Sequence, residues 1–204
     1  MKLFYKPGAC SMAAHILLNE TGADYQLEKV DTDAGTTETG ASYLETNPRG
    51  YVPALKLDDG AVLTENVAIL HWIGEQFPDV APGNDNQPLQ RYRQLELLSF
   101  LSSELHKAFS PYFSGKTFSE SEQAANRKKL DAKLGQFENL LESTSPFLLG
   151  TTFSVVDAYA FVILNWTNFI GVSLDGWPQT KAYVARIGAR PSTRKTLAEE
   201  GLAA

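Results

Sequence analysis

The sequence predicts an α+β protein in two parts: a βαβ-α-ββα unit over residues 1–80 and an all-helical unit over residues 87–204. Three observations predict it. Short strand-like and helix-like segments alternate through residue 77. Only helical spacing follows. Between the two lies F-P-D-V-A-P-G-N-D-N-Q-P at 77–88, with three prolines and a glycine, which reads as a linker.

The elements follow in order. Residues 2–5 form a strand stopped by Pro7-Gly8. A helix is expected over 11–21, with Met12, Ala13, Ile16 and Leu17 on one face and Gly22 as its stop. Residues 25–30 form a second strand, followed by a polar, glycine-containing segment that holds a variable helix before Asn47-Pro48. Strands at 54–58 and 61–64 flank Asp58-Asp59-Gly60, a hairpin signal. A third helix covers 66–77 and ends at Pro78. In the second half Leu130, Leu134, Phe137 and Leu141 recur on one helical face. Ser154 and Asp157 have the spacing of a capping box. Trp177-Pro178 and Arg190-Pro191 divide the remainder into two short helices.

Bulk composition narrows the function. The chain has 204 residues and a formal charge of −6, with no basic block. Neither nucleic acid nor an anionic membrane is expected as a partner. No stretch approaches the roughly 20 apolar residues of a membrane span. The start, M-K-L-F-Y-K-P-G, lacks the apolar core of a signal peptide. One cysteine forms no intrachain disulfide, so a reducing, cytoplasmic setting is expected. Three scattered histidines and one cysteine make no metal site. Dinucleotide, P-loop and serine-hydrolase signatures are absent.

Four places carry candidate chemistry. Cys10 lies between the Pro-Gly turn and the first helix, where free amides and the helix dipole favour a thiolate. The same position suits a small buried hydrophobe. Tyr51-Val52-Pro53 precedes a strand, where a cis proline lets the residue before it offer its backbone to a peptide-like ligand; a plain strand-start proline reads the same way. Glu65-Asn66 sits where a strand passes into a helix. Asn66 can donate to a carboxylate and Glu65 can accept from an ammonium, so the pair suits an amino-acid end, as it also suits ordinary capping. Ser99, Ser103 and His106 fall at i, i+4 and i+7 on one helix and are expected to share a face, with His106 and Lys107 bringing positive charge. A solvated face is the alternative.

Together these features resemble the glutathione transferase family, and its bacterial beta class in particular. The resemblance rests on K-L-F-Y-K-P-G-A-C-S at 2–11, N-P-R-G-Y-V-P-A-L at 47–55, L-T-E-N at 63–66, S-E-L-H-K at 103–107, F-S-V-V-D-A at 153–158 and E-E-G-L at 199–202. It implies a thioredoxin-like glutathione-binding domain at 1–80 and a helical domain at 87–204 that supplies a hydrophobic subsite. It implies glutathione as co-substrate, a homodimer, and a detoxifying conjugation. By resemblance Cys10 lies beside the glutathione sulfur. Val52 is a backbone partner of the cysteinyl part. Glu65 and Asn66 bind the γ-glutamyl end. Ser103, Glu104, Leu105 and His106 line the site. His106 and Lys107 serve sulfur activation and the glycyl carboxylate. Tyr5 stands behind the site and is not the catalytic tyrosine of other classes.

Two positions depart from the class. A lysine often found near position 35 is absent, and the segment reads Asp33-Ala34-Gly35-Thr36. Ser99 stands where relatives commonly carry an asparagine that reaches the partner subunit's ligand. The expected reaction is attack by the glutathione thiolate on an electrophilic carbon, against walls from Phe109, Tyr112, Phe113 and Trp166. The anion is expected to be stabilised by the helix start at Ser11 and by His106. Thiol–disulfide exchange through Cys10 is a second activity on this reading. A non-catalytic interaction protein on the same fold is the alternative.

Overall fold

The computed structural model describes residues 1–80, 89–142 and 146–202. The elements are β1 (Lys2–Tyr5), α1 (Met12–Thr21), β2 (Gln26–Asp31), β3 (Thr36–Thr37), β4 (Ala54–Lys56), β5 (Val62–Thr64) and α2 (Asn66–Gln76), then α3 (Gln90–Phe100), α4 (His106–Phe109), α5 (Glu120–Glu142), α6 (Val155–Phe169), α7 (Pro178–Gly188) and α8 (Pro191–Glu199). The part of the expected linker at 81–88 lies outside the described residues.

The strands form one mixed sheet in the order β3-β2-β1-β4-β5. β1 runs parallel to β2, with Leu3 opposite Leu27, and antiparallel to β4, with Leu3 opposite Leu55. A parallel pair needs a crossover, and α1 supplies it. Met12 through Leu18 are all buried, because α1 is covered by the sheet and also packs on α6 and α8. Gly22 ends the helix in the left-handed conformation, φ 66°, and donates its N–H to the Leu18 carbonyl.

The variable helix between β2 and β4 is only one 3-10 turn, Tyr43–Glu45, preceded by the short strand β3. Gly35 and Gly40 have positive φ values of 67° and 84°, which no helix accommodates, and β-branched Thr36 and Thr37 pair with β2 instead. The Tyr43 ring covers the second face of the sheet, packed 5.6 Å from Phe4 with Val30 and Ala54 beside it.

Helix α6 is apolar on nearly every side and forms the centre of the helical part. Its start is the capping box that the spacing predicts. Asp157 accepts from the Ser154 N–H at 2.9 Å and hydroxyl at 2.7 Å, and also from Leu148 N–H and the Tyr183 hydroxyl. Leu130, Leu134, Phe137 and Leu141 line one core face of α5. The main core runs without interruption from Leu3 and Ile16 through Ile69 and Leu101 to Leu134 and Val162.

Candidate active site

Cys10 stands just ahead of α1, after a tight turn. Ala9 N–H donates to the Lys6 carbonyl at 3.0 Å, Pro7 takes the second position and Gly8, φ 72°, the third. That is the type II pattern. The Cys10 thiol donates to the Val52 carbonyl at 3.4 Å, which joins the first and second candidate places. The Cys10 and Ser11 amides face the sulfur and favour its anion, but burial outweighs them and pushes the thiol up to about 11. The expectation of a thiolate in the free chain is therefore corrected. A helix start lowers a thiol pKa only where water or a counter-charge shares the work, and here Glu65 adds a repelling charge.

The Val52-Pro53 peptide is cis. Its loop is held from behind: the Tyr43 hydroxyl and the Asn47 side-chain amide both donate to the Tyr51 carbonyl at 2.7 Å. Sequence reasoning missed both residues as loop anchors. Asn47 precedes a proline, and that was its only local signal.

Glu65 caps α2 with φ 66°, the only non-glycine residue with positive φ among the described residues. Such a conformation costs about 1–3 kcal/mol and is kept where surrounding structure imposes it. Its carboxylate reaches the surface and meets Arg49 at 2.7 Å. Asn66 is buried, and its side-chain nitrogen and oxygen both lack a hydrogen-bond partner. Tyr159 lies close by, outside good hydrogen-bond geometry.

Tyr159 ties the site together, and sequence reasoning missed it. It sits on α6 among apolar residues, so its position resembled core packing. Its hydroxyl lies 2.8 Å from His106 Nδ1, and it also feels the charges of Cys10 and Glu65. Burial, its first cause, pushes the phenol far above its usual range. His106 packs edge-on to Trp166 at 4.7 Å, and Trp166 Nε1 donates to the Gly8 carbonyl at 2.7 Å. A continuous chain of contacts thus runs from Asn66 through Tyr159, His106 and Trp166 to the Cys10 turn.

His106 does not bring the positive charge expected of it. Burial pulls its imidazole down to about 4, and the neighbouring Lys107 charge adds to the shift. The ring is neutral at neutral pH. When the Tyr159 hydroxyl donates to Nδ1, Nε2–H remains as a donor. Lys107, the next residue, is exposed.

The expected shared face of Ser99, Ser103 and His106 is also corrected. Between α3 and α4 the chain makes a π turn, Leu101–Leu105, in which the His106 N–H donates five residues back to Leu101. The extra residue rotates His106 inward, while Ser99 and Ser103 stay exposed. Their hydroxyls donate to the Leu95 and Ser99 carbonyls at 2.7 and 2.8 Å. Glu104 pairs with Lys133 of α5 at 2.7 Å. Leu105 is fully buried in the core, so its side chain offers no surface to a ligand. Among the described residues no hydrogen bond joins Ser99, Ser103 or Glu104 to Cys10, Glu65 or Asn66.

Trp166 also gathers the expected apolar walls. Phe109 and Phe113 pack edge-on to it at 5.7 and 5.5 Å, and the Phe113 ring is half exposed. The Tyr112 hydroxyl is buried without a partner. Position 35, where the class often has lysine, is a left-handed turn. A Cβ there would meet Leu44 at 3.4 Å, so this backbone is built for glycine.

Comparison with known proteins agrees with this geometry. Residues 8–76 match the family described as "Glutathione S-transferase, N-terminal domain", and residues 100–191 match "Glutathione S-transferase, C-terminal domain". The chain is 40% identical over 205 residues to glutathione S-transferase GstA of Escherichia coli O157:H7, covering 99% of this chain and 100% of that one. The bacterial beta class glutathione S-transferase of Sphingomonas chungbukensis superposes with a TM-score of 0.91 at 44% identity, over 99% of this chain and 100% of that one. A sphingomonad glutathione S-transferase complexed with glutathione gives a TM-score of 0.91 at 43% identity over 100% of both chains. The chain belongs to the glutathione S-transferase family, and bacterial beta class enzymes are among its relatives.

Proposed function

We propose that this chain conjugates the thiol of glutathione, its co-substrate, to small hydrophobic electrophiles without a metal, and that Cys10 adds glutathione-dependent thiol–disulfide exchange. The observation that carries the reading is Asn66. A buried amide with both polar atoms unpartnered costs about 1–3 kcal/mol, and a ligand carboxylate or amide that pairs with it recovers that cost. Beside it Glu65 presents an exposed anion to an ammonium, and Val52 presents a backbone edge next to Cys10. These three match the γ-glutamyl and cysteinyl parts of glutathione in order.

The residues at 1–80 bind glutathione on this reading, with Cys10, Val52, Glu65 and Asn66 as its main contacts. The residues at 87–204 add His106 and Lys107, and Trp166 and Phe113 form the apolar subsite. Ser99, Ser103 and Glu104 are proposed as outer contacts on the exposed helix face. The family likeness supports a homodimer.

In conjugation the glutathione thiolate attacks the electrophilic carbon and displaces its leaving group. Cys10, protonated at neutral pH, acts as an S–H donor to that thiolate, and neutral His106 acts as an N–H donor. In exchange the Cys10 thiolate attacks the glutathionyl sulfur of a mixed disulfide and releases the other thiol. A second glutathione thiolate then attacks Cys10–S–S–glutathione, which frees oxidised glutathione and restores Cys10.

The test compares Cys10→Ala and His106→Ala with an aryl halide and with a mixed disulfide. Cys10→Ala should lose the exchange activity and keep part of the conjugation, and His106→Ala should lose more of the conjugation. Exchange in the unaltered protein should rise with pH toward about 11, following Cys10 ionisation. Full exchange activity in Cys10→Ala would make the cysteine structural. Complete loss of conjugation in Cys10→Ala, with glutathione still bound, would give the sulfur a direct part in both reactions.

A further inference from the structure

We infer that Glu200 is a positioning residue for Cys10: held by His15, its carboxylate fixes the Gly8 peptide and so the turn that carries the sulfur. For its effect on turnover the inference rests on the proposed glutathione chemistry, and the geometry of the turn is independent of it.

The turn at Lys6–Ala9 is closed locally by Ala9 N–H to the Lys6 carbonyl and by the Ser11 hydroxyl on both Lys6 backbone groups, but none of these bonds holds its central peptide. A type II turn and a type I turn differ mainly in the orientation of the central peptide. The N–H of that peptide belongs to Gly8, and it donates to Glu200 Oε2 at 2.8 Å. The Gly8 carbonyl takes the Trp166 Nε1–H. A Cβ on Gly8 would lie 3.5 Å from Leu202 and 3.7 Å from Phe169. Gly8 is thus enclosed on each side by residues from the C-terminal part of the chain. Cys10 follows two residues later.

Glu200 is itself well held. It is buried just beyond α8, and its Oε1 lies 2.9 Å from His15 Nδ1. The other ring nitrogen of His15 lies 2.9 Å from Glu199 Oε2. The imidazole thus spans the two carboxylates, and Glu199 also accepts from the Asn19 side-chain amide at 2.8 Å. His15 is fully buried between the rings of Tyr5 and Tyr25, at 5.9 and 5.8 Å, and cannot swing away. The Gly8 N–H therefore meets an acceptor whose orientation is fixed from the far side.

The same helix pair has ties that never touch the turn. Glu20 on α1 pairs with Arg190 and accepts from Ser192. Those ties serve as the internal control.

The experiment uses the full chain with Glu200→Ala, Glu200→Gln and Glu20→Gln. The first readout is the rate of Cys10 alkylation by iodoacetamide without glutathione. Glu200→Ala should raise it about tenfold, the effect of losing one hydrogen bond. Glu200→Gln keeps an acceptor for Gly8 and should restore the original rate, and Glu20→Gln should leave it unchanged. The second readout is turnover with glutathione and an aryl halide. Glu200→Ala should lower kcat about tenfold and change KM for glutathione much less, because Glu65 and Asn66 are untouched. An unchanged alkylation rate in Glu200→Ala, or an equal rise in Glu20→Gln, overturns the inference. Alkylation as expected in a protein that does not turn over glutathione upholds the positioning role and refutes the glutathione reading. Should Glu200→Ala not fold, amide hydrogen exchange in the unaltered protein reads the same contact. A slow Gly8 exchange supports it, and exchange at the rate of an unprotected amide overturns it.

Discussion

Single side chains of the site are set by what surrounds them more than by what they are. Cys10 and His106 are both ordinary titrating groups, and burial moves each toward its neutral form, one up to about 11 and the other down to about 4. On the proposed reading the site therefore meets the glutathione thiolate with donors in place of full charges. Charge remains at Glu65 and Lys107, both exposed. Glu65→Ala removes the proposed partner of the glutathione ammonium. A charge-assisted hydrogen bond contributes about 1.5–3 kcal/mol, so glutathione affinity should fall more than about tenfold by calorimetry. Unchanged affinity would leave the Glu65 carboxylate with the Arg49 pair as its role.

Helices and turns then decide which of these side chains meet. The π turn at Leu101–Leu105 aims His106 at Tyr159 and Trp166 while the serines before it stay on the outside. A buried, neutral His106 has a measurable consequence for stability. Its folded pKa lies below its ordinary 6.5, so between 6.5 and about 4 the unfolded chain binds the extra proton and the folded chain does not. Stability should fall as pH drops through that window, by up to about 3 kcal/mol from this group, and level off below it. Urea unfolding at pH 7 and pH 4.5 should show this, and His106→Gln should lose that part of the pH dependence. An identical dependence in the variant would mean that the imidazole stays solvated.

Across the whole fold the two parts share one core. Helix α1 belongs to the sheet-bearing part in sequence, yet it is buried against α6 and α8. Ionic ties reinforce the same surface, from His15 to Glu199 and Glu200 and from Glu20 to Arg190. A shared core predicts one cooperative transition. Far-ultraviolet circular dichroism and tryptophan fluorescence should give coincident unfolding curves, since Trp72 reports on α2 and Trp166 and Trp177 report on the helical part. Two separated transitions would show that each part holds its own core.

The sequence alone was enough for β1, α1, β2, the β4–β5 hairpin and α2 in that order, for the Gly22 stop and for the capping box at Ser154–Asp157. Those features rest on local spacing and backbone preference, which nearby residues carry. The tertiary structure alone decided the rest. Ionisation of Cys10 and His106 depends on burial by distant elements. The π turn depends on how α3 and α4 meet the core. Tyr159 reads as a core residue until His106 comes within 2.8 Å of it. Glu200 reaches Gly8 across 192 positions of chain. Electrostatics and packing act through space, and no local pattern of residues records which distant side chain will fill the space beside them.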